Sequence, residues 1–163
     1  MPTMEEYATH TVTDRLNRLE RTTSELAAAI KGRSTAALAR RPDEKNWAAV
    51  EIICHLRDTE EGFGGRFQML LAMDEPKILG PDPDRWAAER QYLRNDPGEA
   101  LAAFRSRRTE SLEILRKLTP GQWKRAGLHA TRGKVTIDDF VTLMCWHDDN
   151  HLDQLVRALE GKA

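Results

Sequence analysis

The tightest constraint on the fold lies in the last part of the chain. In VTLMCWHDDNHLDQLVRAL (141–159) apolar residues recur at helical spacing, and His147 and His151 sit four apart among them. Residues four apart on a helix lie about 40° from each other around its axis. Phe140, Leu143 and Met144 lead into His147 on that face, and Leu155 and Ala158 follow His151. The stretch therefore reads as a helix whose core-facing stripe carries two imidazoles. Thr136 can cap it, with Asp139 at the capping-box position, and Gly161 lies just past its end near Leu159.

The rest of the chain supplies partners for such a helix. Residues 3–31 read as one long amphipathic helix, with Leu16, Leu19, Leu26 and Ile30 on one face and Gly32 as its stop. A linker follows at 40–46, broken by Pro42. Asn46 is placed to cap a second helix running from about Trp47 to Met73. Gly62, Gly64 and Gly65 weaken that helix and permit close packing or a kink. Residues 74–96, with Pro76, Gly80, Pro81 and Pro83, form a long connection in which DRWAAERQY makes a short helix. Asp96, Pro97 and Glu99 start a third helix, whose buried face holds Leu101, Phe104, Leu112, Leu115 and Leu118. Thr119–Gln122 repeats that start in miniature and presents Trp123. Residues 129–135 read as a loop or a short hairpin around Gly133. The expected architecture is all-α, a four-helix bundle with a long crossover at 74–96, built as a single domain over 1–163.

Charge narrows the function classes. With 25 basic and 26 acidic residues the net charge is −1, so no basic field draws nucleic acid, and no groove-reading motif appears. The arginines of RSRRTESLEILRK (105–117) alternate with Glu110 and Glu113 and read as a solvated helix face. No signal peptide and no membrane-length apolar run is visible, so neither export nor a membrane partner is expected. Cys54 and Cys145 fall in apolar helical stretches as free thiols, which points to a cytoplasmic protein.

A third histidine completes a chemical pattern. On the second helix His55 shares a stripe with Ile52, Thr59 and Phe63. Two core-facing histidines on one helix and one on another can converge inside a bundle. Three neutral imidazoles make a facial ligand set for a divalent transition metal, with coordination positions left open for chemistry.

WAAVEIICHLRDTE, then Arg66, Phe104 with Arg108, Leu118 with TPGQW, and Thr136 leading to HxxxH resemble the DinB/YfiT (damage-inducible DinB) superfamily, over about residues 10–160. The resemblance implies a four-helix bundle with a crossover, usually a homodimer. It implies a metal held by His55, His147 and His151, typically zinc or nickel. It further implies a small-molecule substrate. Some relatives are transferases or isomerases that use bacillithiol, mycothiol or glutathione, and others have no known activity. Arg66 and Arg108, at family positions, either bind an anionic substrate or pair with carboxylates.

Other residues near the constellation are read from helical geometry. Asp58 lies one turn from His55, where it is expected to orient that imidazole or accept a proton as a catalytic group. Asp148 and Asp149 turn away from the histidine face toward either a ligand imidazole's outer side or an ion pair. Asn150 and Gln154 can present polar groups at the site mouth. Cys54 and Cys145 point away from their neighbouring histidines and read as packing residues, as do Trp47, Trp86, Trp123 and Trp146. His10 and His129 lie off the constellation. Two functions stay open: a metal-dependent enzyme, either a low-molecular-weight thiol transferase or a hydrolase, and a non-catalytic metal-binding stress-response protein acting as a dimer.

Overall fold

A computed structural model describes residues 1–163. In chain order the elements are α1 (Met4–Thr9), α2 (Val12–Ile30), α3 (Thr35–Leu38), α4 (Ala49–Ala72), β1 (Lys77–Ile78) and α5 (Pro83–Glu89). A 3₁₀ turn (Tyr92–Arg94) leads to α6 (Pro97–Arg116), α7 (Pro120–Trp123), β2 (Ala126–His129), β3 (Gly133–Thr136) and α8 (Ile137–Leu159).

The four long helices α2, α4, α6 and α8 form a bundle in which α4 and α2 each pack on both α6 and α8. Two apolar clusters fill its two ends. One joins Leu26, Ile52, Ile53, Phe104 and Leu155. The other joins Leu19, Phe67, Leu115, Phe140 and Met144. These memberships fix the helix directions: α4 and α6 run together, and α2 and α8 run opposite to them. The steps from α2 to α4 and from α6 to α8 cross the bundle diagonally. The connection from α4 to α6 must return along the bundle's length. It does so with Ile78 in one cluster and Ala87 and Tyr92 in the other, which is the crossover expected at 74–96. The wiring makes α4 and α8 neighbours, and these are the helices that carry the three histidines.

The helix starts obey local chemistry with two departures from expectation. The helix expected over 3–31 is two. His10 is extended, and the Thr11 hydroxyl accepts from the Asp14 N–H at 3.1 Å to start α2 anew. Asn46 does not cap α4; its amide and N–H are taken up by Asp43. Ala48 is the N-cap, and the Glu51 carboxylate reaches back to its N–H at 3.0 Å while Arg41 grips both Glu51 oxygens at 2.7 Å. Asp96, Thr119 and Thr136 cap α6, α7 and α8, and the Thr136–Asp139 box is closed.

The segment 129–135 lies in a hairpin that is part of a three-stranded sheet. β2 pairs antiparallel with β3, from Ala126 opposite Thr136 to His129 opposite Gly133, and β1 adds in parallel on β2. Gly133 turns with φ +72°. At Gly127 a Cβ would stand 2.5 Å from the Ile78 side chain and 2.9 Å from the Pro76 carbonyl, so only glycine lets β1 close on β2. β3 runs directly into α8, and this fixes the entry of the helix that carries His147 and His151.

Midway between the two apolar clusters lies a polar belt. Arg108 of α6, 3% exposed, donates to both Asp148 oxygens (2.7 and 3.1 Å), to Glu60 (2.8 Å) and to the Leu19 carbonyl (2.8 Å). Thr22 also donates to Asp148, and Asp149 accepts from Arg18 at 2.8 Å and from the Tyr7 hydroxyl. Arg108 thus leaves the solvated face expected for 105–117, because its partners are buried carboxylates on two other helices. No helix is long and apolar enough to cross a membrane.

Candidate metal centre

HDDNH divides its side chains between two jobs. Asp148 and Asp149 face the belt and lock α8 to α6, α2 and α1. His147 and His151 emerge on the other side and meet His55 of α4. The Nε2 atoms of His55 and His147 stand 3.1 Å apart. The ring centroids of His55 and His151 are 4.5 Å apart, and those of His147 and His151 are 4.3 Å apart. One nitrogen from each ring can be chosen so that all three lie within 4.8 Å of one another.

The surroundings keep these rings uncharged. Burial, and then the nearby His151, push the His55 imidazole down to about 3. Burial and its two histidine neighbours hold His147 well below the ordinary range. Burial also lowers His151, against a hydrogen bond to Gln154 that pulls the other way. That bond, 2.8 Å from His151 Nδ1 to Gln154 Oε1, leaves the proton on Nδ1 and turns the Nε2 lone pair toward the other histidines. His55 is held differently. Trp47 packs on its ring at 5.0 Å between centroids, and its buried Nδ1 has no hydrogen-bond partner.

The donor set fits one divalent transition ion. Imidazole nitrogens bound about 2.0–2.1 Å from a single zinc-like ion stand roughly 3–4 Å from each other, close to the spacing here. All three rings present neutral nitrogen, the ligating form. The two thiols do not compete. Cys54 and Cys145 are fully buried, and burial pushes them up to about 11 and about 12.

The histidines open onto a cleft of about 800 Å³. Trp47, Phe63, Phe140, Leu143 and Trp146 wall it, and the hairpin and the segment after β1 form its rim. Trp47 and Trp146 therefore do more than pack. His129 and Arg132, which the sequence placed off the constellation or did not single out, stand in this rim together with Arg66. Their contribution depends on the α4–β1–hairpin closure, for which the only local sequence signal is the glycine-marked turn at Gly133. No carboxylate lines the cleft.

Asp58 is not placed where it was expected to serve. Its oxygens accept from Arg57 (2.8 Å), Arg90 (2.8 Å), Tyr92 (2.6 Å) and Arg107 (3.4 Å), and it makes no hydrogen bond to His55. Burial raises its carboxyl, but the donated hydrogen bonds outweigh burial and bring it down to about 2. It ties the crossover to α4 and α6. Asn150 likewise turns to the Trp146 carbonyl at 2.7 Å.

The model of the DinB superfamily matches residues 18–155. The chain belongs to the DinB superfamily. Among curated DinB-like relatives it is 25% identical to YfiT of Bacillus subtilis over 135 residues, 82% of this chain and 76% of that one. It is 22% identical to OB0413 of Oceanobacillus iheyensis over 149 residues, 91% and 85% of the two chains. Both relatives are named, provisionally, as metal-dependent hydrolases. The fold matches the solved YfiT structure, described as an unusual four-helix bundle, with TM-score 0.84 at 22% identity over 100% of this chain and 92% of that one. It also matches the mycothiol-dependent maleylpyruvate isomerase, with TM-score 0.73 at 13% identity over 95% of this chain and 63% of that one.

Proposed function

We propose that this DinB-superfamily chain is an enzyme that works with one divalent transition metal, zinc or nickel, held by His55, His147 and His151. The observation that carries the reading is the convergence of three neutral imidazoles at the base of an open cleft. A closed structural site would spend its coordination positions on the protein; three ligands beside an open volume leave positions for a reactant. Such an ion, when bound, acidifies a water or a thiol entering its open positions.

The chain's own residues bear on which nucleophile suits the cleft. Gln154 orients His151, and Trp47 packs against the His55 ring and walls one side of the cleft. No carboxylate stands in the cleft to take a proton, since Asp58 is committed to its four donors. A nucleophile that ionises readily is favoured there, and a thiol, with a free pKa of about 8.5, does so far more readily than water. The first reading is therefore transfer of a low-molecular-weight thiol to a small electrophile. The names of the two curated relatives support hydrolysis as the second. The proposal extends to a cytoplasmic homodimer, whose stoichiometry sedimentation would measure.

Metal analysis of the purified protein and of His147→Ala tests the centre. About one equivalent is expected in the former and loss in the latter; full metal retention by the variant would refute the triad. Screening both for consumption of bacillithiol, mycothiol or glutathione with electrophiles, and for ester and amide hydrolysis, separates the reactions. Turnover of esters or amides without any thiol requirement would overturn the transfer reading. Stoichiometric metal with no turnover in either screen would favour a non-catalytic metal-binding role.

A further inference from the structure

The ionisable side chains at the rim of the cleft are Arg66, His129 and Arg132, with no carboxylate among them. Arg66, two turns beyond Thr59 on α4, lies over Phe63 at 5.6 Å and Phe140 at 5.3 Å. It gives one hydrogen bond, from Nη2 to the Leu79 carbonyl at 3.1 Å, and forms no ion pair. Phe63 in turn stacks edge-on with His147, at 6.1 Å between centroids, so the guanidinium stands one aromatic ring away from the histidines. Arg132, in the turn of the hairpin, also has no carboxylate partner, although arginines elsewhere on the molecule pair repeatedly.

His129 adds a third donor. Its Nδ1 accepts from the backbone N–H groups of Thr131 (3.2 Å) and Arg132 (3.3 Å). In the neutral ring the proton is therefore on Nε2, which lies near Gly80 at the opposite lip. Burial and the two arginines keep the ring in that neutral form. A protein of net charge −1 thus keeps two unpaired guanidiniums and an N–H at the mouth of a cleft that holds no acid. Arg66 is half-buried, and a half-buried guanidinium without an ion pair is retained at a cost unless an anion completes it; Arg132 is exposed and adds a second positive charge beside it.

We propose that Arg66, Arg132 and the Nε2–H of His129 form an anion subsite that seats the carboxylate or phosphate of a small substrate whose opposite end reaches the three histidines. The inference rests on reading the cleft as a substrate site. It specifies an amphiphilic substrate: an anionic group at the rim, an apolar body against Phe63, Phe140 and Trp146, and the reacting atom at the histidines.

Calorimetric titration of the full chain as purified, with benzoate, phenyl phosphate and the neutral benzyl alcohol as probes, tests this. One or both anions bind saturably and benzyl alcohol does not; whichever anion binds more tightly identifies the group the rim accepts. Arg66→Gln and Arg132→Gln each weaken the anion by at least about tenfold, the loss of one charge-assisted contact. Arg66→Lys, which retains charge and packing, loses less than Arg66→Gln. Arg116→Gln, on the exposed end of α6, binds as the parent does. His147→Ala binds the anion within about threefold of the parent while losing metal, so failure of the metal reading is visible separately from failure of the subsite. The subsite is refuted if neither anion saturates by about 10 mM, if benzyl alcohol binds equally well, or if both glutamine variants bind like the parent.

Discussion

Replacing Arg108 with methionine removes the cation that bridges Asp148 and Glu60 in the polar belt while keeping most of its bulk. The guanidinium makes four hydrogen bonds, two to Asp148, one to Glu60 and one to the Leu19 carbonyl. Its two carboxylate partners are each 1% exposed. Without it, Asp148 keeps only the Thr22 hydroxyl, and Glu60, whose Oε1 already lacks a partner, keeps none. Breaking one side of a buried ion pair costs about 3–5 kcal/mol, because the remaining charge stays buried and uncompensated. For a chain of this length that corresponds to a fall in Tm of roughly 6–20 °C. Glu60→Gln is the matched control. It keeps an acceptor for Arg108 and removes the second negative charge, so its expected cost is below about 1 kcal/mol. Thermal unfolding followed by circular dichroism, on metal-free and metal-supplemented protein, measures both. If Arg108→Met unfolds within about 3 °C of the parent, the belt contributes no more than a surface pair and the argument fails.

Other substitutions probe the site and its supports. Gln154→Ala releases the His151 ring from its 2.8 Å partner and is expected to weaken zinc binding by about 10-fold or more in a chelator competition, with little change in metal-free Tm. Gly127→Ala forces apart Ile78, Leu70 and the Pro76 carbonyl; a loss of about 1–3 kcal/mol in urea unfolding is expected, and an unchanged midpoint would show that β1 does not close on β2. Asp58 titrates below its unfolded value, so its stabilisation is complete above about pH 4 and is lost as pH falls through about 2. With Arg90 half exposed, the loss is discounted to about 1–2 kcal/mol, and denaturant unfolding of Asp58→Asn should lack that acid-side decline. Saturating zinc should raise the Tm of the parent and leave His147→Ala unmoved.

Much of the fold was legible because its signals are local. The starts at Asp96, Thr119 and Thr136 depend on a side chain and a backbone N–H three residues on, and all three residues cap as read, although Glu99 does not bond back to close a box at Asp96 as Gln122 and Asp139 do at the other two. The break at Thr11 and the Glu51 cap were missed because competing local chemistry decided them: a threonine able to start a helix inside a continuous apolar stripe, and an asparagine drawn to Asp43 instead of to the helix. The convergence of the three histidines was readable from periodicity on two helices, because a stripe that faces a core tells which residues must meet there. The charge pattern of 105–117 put Arg108 on a solvated face, whereas its family position allowed pairing with carboxylates; the pairing is what forms, with Asp148 and Glu60 buried on neighbouring helices.

Asp58 and His129 show where sequence reasoning stops. One turn from His55, Asp58 had the right spacing to serve that imidazole. Only the tertiary structure brings Arg90, Tyr92 and Arg107 around it from the crossover and α6. His129, 18 residues before His147, had no spacing to commend it, and reaches the cleft because β1 pairs with β2. The four long helices, the caps at Asp96, Thr119 and Thr136 and the histidine-bearing face of α8 could be read from the chain, since these follow from contacts within a few residues. The tertiary structure decided which inward groups share a site and which are spent on holding it together, because that depends on partners far apart in the chain.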